Sequence, residues 1–284
     1  MAGKNPLVKP YLKWAGGKRQ LLSEIKKHVP PDIDGYTYYE PFLGAGAVFF
    51  ALQPKRAVIN DSNTQLMLTC TVIKEHAGEL IARLKEHQDK NSAAYYYEIR
   101  NLDRNREQFS ALGGVEKAAR LVFLNKTCYN GLYRVNSRGF FNVPRGTYKN
   151  PSICEEAALW QISAYLNANS VTILNADFAE AVRDAGAGSF VYFDPPYHSP
   201  GRTGFTSYQA DGFGEEEHRR LRDLMAALTE RGAKCLQSNA DTEFIRSLYG
   251  PDLFDIIPVH AKRFINSDSS GRGAAGEVLI KNRN

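Results

Sequence analysis

With 284 residues, 43% of them hydrophobic and 24% charged, the chain has material for a full core, as one large domain or a core with an insert, and is not of disordered composition. Four cysteines, at 70, 128, 154 and 235, form no C-x-x-C pair and the six histidines are scattered, so no disulfide framework and no metal site is expected. No apolar run suggests a membrane span, and Met1 to Pro10 lacks a signal-peptide core, which points to a reducing, cytoplasmic setting.

Along the chain, Tyr11-Leu12-Lys13-Trp14-Ala15-Gly16-Gly17-Lys18 comes first. It imitates a phosphate loop, but the G-x-x-x-x-G-K-[ST] spacing is absent and Arg19 replaces the hydroxyl. Lys18, a point charge beside two glycines, suits a ligand carboxylate equally well. Tyr36 to Glu40 reads as a strand, followed by Pro41-Phe42-Leu43-Gly44-Ala45-Gly46 and an apolar helix start. Glycines 44 and 46 let the backbone turn tightly beside a ligand. Arg56 to Asn60 makes a second strand ending at Asp61, an acid 17 positions beyond Gly44. In nucleoside-binding α/β units an acid near that offset accepts ribose hydroxyls. The third glycine of the dinucleotide fingerprint is missing, so a single nucleoside fits better than NAD or FAD. A ribose, an adenine and a carboxylate together describe S-adenosylmethionine, a methyl donor.

The next strand-like run is Val171 to Leu174, so 109 residues, 62 to 170, separate two core strands. A crossover takes roughly 10–12 residues or somewhat more, and the excess predicts an inserted unit. Helical spacing appears from Gln65 to about Arg100, from Lys117 to Leu124 and from Glu155 to Leu166, with a hairpin or extended loop from Arg134 to Tyr148. Between Lys117 and Asn150 lie Lys117, Arg120, Lys126, Arg134, Arg138, Arg145 and Lys149 and no acid. That is +7, against +5 for the whole chain, and Phe123, Tyr129, Tyr133, Phe140, Phe141 and Tyr148 interleave with it. Such a stretch suits phosphate neutralisation and base unstacking, and predicts a nucleic-acid partner.

Strands are then expected at 171–175, 189–193, 233–237, 254–258 and Glu277 to Ile280, with helices near 215–230 and 241–248. Alternation of this kind predicts a mostly parallel, Rossmann-like α/β sheet carrying helices on both faces, with ligands at the carboxyl ends of its strands. The division expected is a core of 1–63 and 167–284 and a mainly helical recognition insert of 64–166. Ser267 to Gly276 is the candidate mobile segment. The apolar run Ser189 to Phe193 ends in Asp194-Pro195-Pro196-Tyr197. An exocyclic amine on a nucleobase is a poor nucleophile because its lone pair is delocalised into the ring. Asp194 and the carbonyl of Pro195 can accept the two amine hydrogens, proline having no N–H to compete, and Tyr197 can stack on the base. His198, beside it, reads as a loop residue.

Taken together these blocks resemble the Dam-type (D12 class) DNA adenine N6-methyltransferases, in which the cofactor loop precedes D-P-P-Y. The resemblance covers nearly the whole chain. It implies cofactor contacts from Trp14, Ala15, Gly16, Lys18, Phe42, Gly44, Gly46, Asp61 and Asp194. It adds Asp177 and Phe178, in the segment similar to the one that holds the cofactor's adenine. Asn125 to Asn136 is similar to the family's DNA-contact stretch, and DNA contacts are expected from Lys126, Tyr129, Asn130, Leu132, Arg134, Asn136, Arg138, Arg145, Tyr148 and Lys149. Phe205 to Phe213 and Ser238 to Thr242 also look like family blocks. The implied reaction methylates adenine N6 in double-stranded DNA after base flipping, in GATC or a site containing it. Monomeric or weakly self-associating behaviour is expected, with no obligate protein partner. Similar tetrapeptides serve cytosine N4, RNA adenine and protein glutamine. A DNA-binding protein that senses the cofactor without catalysis is the rival from another class.

Overall fold

The computed structural model describes residues 4–199, 213–259 and 276–283. Most of the Phe205 to Phe213 block and all but Gly276 of the expected mobile segment lie outside the described residues. In chain order, α1 (Leu22–His28) precedes β1 (Thr37–Glu40), α2 (Ala47–Leu52) and β2 (Arg56–Asn60). Then come α3 (Thr64–Glu75), α4 (Ala77–Asp89), α5 (Ala93–Asn101), α6 (Arg106–Ala111), α7 (Gly114–Thr127) and α8 (Glu156–Ala168). After β3 (Ser170–Leu174), α9 (Phe178–Ala181), β4 (Ser189–Phe193) and α10 (Glu215–Glu230) the chain closes with β5 (Lys234–Ala240), α11 (Glu243–Leu248), β6 (Phe254–Val259) and β7 (Glu277–Asn282). Helix starts follow local chemistry: the side chains of Asn63, Ser92, Asn105, Asp177 and Thr242 each accept a backbone N–H of the helix they open.

The backbone divides into two units. One comprises Met1–Gly17, Leu43–Gln53 and Asp61–Asn175; the other comprises Lys18–Phe42, Pro54–Asn60 and Ala176–Asn284. Residues 64–166 all fall in the first unit, together with the N-terminal segment and the glycine loop.

The fold is mixed α/β with a seven-stranded sheet. The second unit contributes β2-β1-β4-β5-β7-β6, in that order. β1 runs parallel to β2 and β4, and β4 parallel to β5. β7 lies antiparallel between β5 and β6, an insertion that alternating strands and helices did not reveal. β4 is buried at all five positions, so both faces are covered and an unbroken apolar run is what such a strand requires. Val191, Phe193, Leu221, Met225, Leu228, Val278 and Ile280 form the core between β4, α10 and β7, each contributing about 1.5–3 kcal/mol on burial. The chain leaves β1 for β2 on one side and later returns to β4 on the other. Ligands of open α/β sheets bind at such a switch, beyond the carboxyl ends of the strands.

In the first unit α7 is buried along most of its length (Ala118 to Asn125). Around it lie buried Leu66, Ile73, Leu80, Leu84 and Tyr96 from α3, α4 and α5. Residues 134–142 form a tight hairpin, with the Asn136 amide donating to Phe140 O at 2.9 Å and the Asn142 amide to Arg134 O at 3.0 Å.

Candidate active site

β4 delivers Asp194 to its carboxyl end, one residue beyond the pair Phe193↔Gln237, so Ser238 on β5 stands opposite. The Ser238 hydroxyl donates to Asp194 Oδ1 at 2.8 Å and is 2.9 Å from the Tyr192 hydroxyl. The Lys18 ammonium lies 2.8 Å from the same Oδ1, the two side chains being 8% and 20% exposed. Among the described residues both contacts fall on Oδ1, which leaves Oδ2 as an acceptor. Burial pushes the Asp194 carboxyl above its ordinary range, against the opposing pull of Lys18 and Ser238. Pro195 is buried and Pro196 half-buried. Tyr197 donates through its hydroxyl to Glu277 Oε2 at 3.2 Å, and Lys18 Nζ sits 4.6 Å from its ring centroid. Burial holds the phenol far above its usual range, so it stays protonated and a donor. The loop exit is tied down as well: His198 N donates to Asn239 Oδ1 at 3.1 Å, and His198 Nδ1 is 2.9 Å from Thr242 Oγ1. Ser238, Asn239 and Thr242 thus brace the tetrapeptide from β5 and the start of α11.

In the same unit Phe42 stacks on Phe178 at 5.3 Å and meets Phe213 edge-on at 5.6 Å. Asp177 caps α9 and pairs with Arg220. Burial alone would raise that carboxyl, but Arg220 and the α9 amides outweigh it and hold it low. Asn60 spans to Pro41 O and to Ala176 in both directions, at 2.8–3.0 Å.

The first unit holds the glycine loop. Gly44 and Gly46 have φ of +52° and +73°, a region that costs other residues energy. A Cβ on Gly44 would also stand 3.2 Å from Trp14 Cδ1. Asp61 fixes the loop, accepting the Gly44 amide on Oδ2 and the Asn63 amide on Oδ1, both at 2.9 Å. Trp14 stacks on Tyr133 with centroids 5.3 Å apart. Ala15 and Gly16 form an exposed turn, with Gly16 at φ +77°.

The basic stretch is less uniform than its composition. Arg120 is 2% exposed and paired with Asp103 at 2.9 Å, and Lys126 is paired with Glu155 at 2.5 Å. Two of the seven charges are therefore matched by acids from outside the stretch, so its count of +7 overstates the charge it presents. Arg134 donates from Nε to Asn142 Oδ1 at 2.6 Å, and Asn136 Oδ1 accepts the amides of Arg138 and Phe140, shaping the hairpin tip. Tyr129 and Leu132 are 54% and 36% exposed, flanking Asn130 and Gly131, which both adopt positive φ. Arg145 is half-buried and bridges to Cys128, while Arg138 and Lys149 are exposed. Tyr148 is contacted by Lys13, whose Nζ is 3.1 Å from its hydroxyl.

A family model described as D12 class N6 adenine-specific DNA methyltransferase matches residues 14–265. The chain belongs to that class. It is 42% identical over 276 residues to the Type II methyltransferase M1.LlaDCHI of Lactococcus lactis subsp. cremoris, covering 97% of this chain and 95% of the relative. The Type II methyltransferase M.MjaIII of Methanocaldococcus jannaschii is 41% identical, at 97% and 99% coverage. The DNA adenine methylase of Escherichia coli K12 is 33% identical, at 95% and 93%. The protein is therefore an adenine-specific DNA methyltransferase.

Within this methyltransferase the structure brings Lys18, Asp194 and Tyr197 into direct contact, and Phe42 onto Phe178. It directs the Lys18 ammonium at Asp194, where the sequence had suggested a ligand carboxylate. Sequence reading missed four structural partners: Ser238, Glu277, Asn60 and Asn125. Asn125 clamps Lys13 N and O and Gly131 O at 2.8–2.9 Å. Ser238 and Asn125 lay inside family-like blocks, which is a signal; for Glu277 and Asn60 there was none.

Proposed function

We propose that this methyltransferase transfers a methyl group from S-adenosylmethionine to adenine N6 in duplex DNA, within GATC. The observation that carries the reading is the anchored carboxylate at the end of β4, one oxygen fixed by Lys18 and Ser238 and the other facing no described partner. A flipped adenine, extruded for a few kcal/mol, would stack on Tyr197 while Asp194 and the Pro195 carbonyl accept its amine hydrogens. That localises the nitrogen lone pair for direct in-line attack, so the protein contributes position and electrostatics. S-adenosylmethionine supplies the electrophilic methyl group. The backbone opened by Gly44 and Gly46, beside the Trp14 ring and tied by Asp61, fits its nucleoside, with Trp14, Ala15 and Gly16 in the same unit; Phe42, Asp177 and Phe178 are proposed as cofactor contacts on the sequence resemblance.

The division proposed is a catalytic core of 1–63 and 167–284 and a recognition insert of 64–166. Exposed Tyr129 and Leu132 at the turn and the Arg134 to Asn142 hairpin support the insert as the DNA reader: Leu132 as a wedge, Arg134 at a guanine edge, Arg138, Arg145, Tyr148 and Lys149 around the backbone. The GATC target rests on the likeness of residues 129–136 to the stretch with which relatives contact that site. The enzyme is proposed to act in the cytoplasm, without an obligate protein partner; no described helix is long and apolar enough to cross a membrane. Mapping modified adenines by single-molecule sequencing after expression in a methylation-deficient host tests the target, and Asp194→Ala in the same host tests the chemistry. Retained methylation in Asp194→Ala would refute the site; unmodified GATC beside another methylated sequence would refute only the target.

A further inference from the structure

One face of the sheet in the second unit carries more of the catalytic corner than the tetrapeptide itself. Side chains alternate along a strand, and directly paired residues share a face. The parallel register Tyr192↔Leu236 and the antiparallel registers Ser238↔Leu279 and Ala240↔Glu277 therefore put Tyr192, Ser238 and Glu277 on the same face. Asp194 continues the alternation of β4 onto that face. Ser238 reaches Asp194, and Glu277, diagonally placed on β7, reaches the Tyr197 hydroxyl at 3.2 Å. Glu277 is held at the start of its strand, where Gly276 O accepts the Asp241 amide at 2.7 Å.

A tyrosine ring attached only through its Cβ swings about two side-chain torsions. A hydrogen bond at its far tip restricts that freedom. The ring's face is constrained too: Lys18 Nζ, 4.6 Å from the centroid, occupies one side. We propose that Glu277 is a positioning residue for methyl transfer, holding Tyr197 in the orientation that receives the flipped adenine. This inference rests on the reading of Tyr197 as the stacking platform. It makes the β5–β7 pairing a brace for both halves of the corner, Ser238 on the carboxylate and Glu277 on the ring.

Single-turnover methyl transfer to a duplex carrying the unmodified target site, with cofactor affinity measured by calorimetry, tests it in four variants. Tyr197→Phe keeps the ring and loses the tip, and Glu277→Ala loses the acceptor; each should slow the step about ten-fold, the scale of one hydrogen bond to a charged group. The double variant should be no slower than either single, Glu277→Gln should keep most of the rate through its amide oxygen, and cofactor affinity should not move. Losses that multiply in the double variant overturn the proposal. So does a full-speed Tyr197→Phe, which leaves β7 untouched and decides the matter even where Glu277→Ala fails to fold. Asp194→Ala separates the parent reading: turnover retained there removes the whole site, whereas an inactive Asp194→Ala with multiplying losses removes only the role of Glu277.

Discussion

Replacing Lys18 with methionine keeps most of the side chain's volume and deletes its charge. The ammonium stands 2.8 Å from Asp194 Oδ1, with the two side chains only 8% and 20% exposed. At an effective dielectric of about 20, that distance corresponds to about 6 kcal/mol of direct attraction, offset in large part by the hydration both groups have lost. Opposite charges this close move a carboxyl pKa by about 1–3 units. Burial already lifts Asp194 and Lys18 opposes the lift, so Lys18→Met should raise it further. Only the carboxylate accepts on every lone pair; a protonated Asp194 would turn a donor toward the amine. The acid limb of the single-turnover rate should therefore move up by about 1–3 pH units, at saturating cofactor and DNA, and most of the lost rate should return as pH is raised. A drop of equal size at every pH would refute the reasoning and confine Lys18 to ligand binding or packing.

Asp61→Ala removes the acceptor of two backbone amides, so thermal stability should fall by about 1–3 kcal/mol and calorimetry should show weakened S-adenosylmethionine binding; normal binding would leave Asp61 as a cap on its strand. Arg120→Ala leaves Asp103 with Arg104 at 2.7 Å and the Phe141 amide but removes the donor to the Ile99 and Arg100 carbonyls, and urea titration should show a loss of about 1–3 kcal/mol. Burial lowers buried His87 and His218 from 6.5 to about 4. The unfolded chain then binds more protons between those values, so stability is intact above about pH 6.5 and is lost on acidification toward 4, by on the order of 2–3 kcal/mol per histidine; flat urea midpoints over that range would contradict it. Arg134→Ala should relax preference at one base pair, whereas Lys149→Ala should weaken all sequences alike and flatten the salt dependence by about one charge, measured by competition binding.

The features legible in the sequence were those set by near neighbours. The run 189–193, a serine followed by four apolar or aromatic residues, read as a buried strand and is one, and α10 has the expected bounds of 215–230. Glycines 44 and 46 signalled a tight turn of the backbone, and both adopt positive φ. The region from Gln65 to Arg100 showed helical spacing but not its breaks at His76 and 90–92, because capping is decided over one or two residues. α6, at Arg106–Ala111, escaped notice because none of its residues is buried and it carries little apolar period.

Sequence alone determined the family and the order of most strands and helices, and it singled out Asp194-Pro195-Pro196-Tyr197 for the proposed chemistry, because these depend on residue type and short spacing. The tertiary structure decided which groups those residues meet. Whether a charge is free or matched depends on distance in space, so Arg120 counted toward the basic stretch until Asp103 proved to lie 2.9 Å away. Likewise Lys18 reaches across 176 positions to Asp194, and β7 enters the sheet antiparallel between β5 and β6. That last placement puts Glu277 against Tyr197, since strand pairing, unlike strand formation, is fixed by partners remote in the chain.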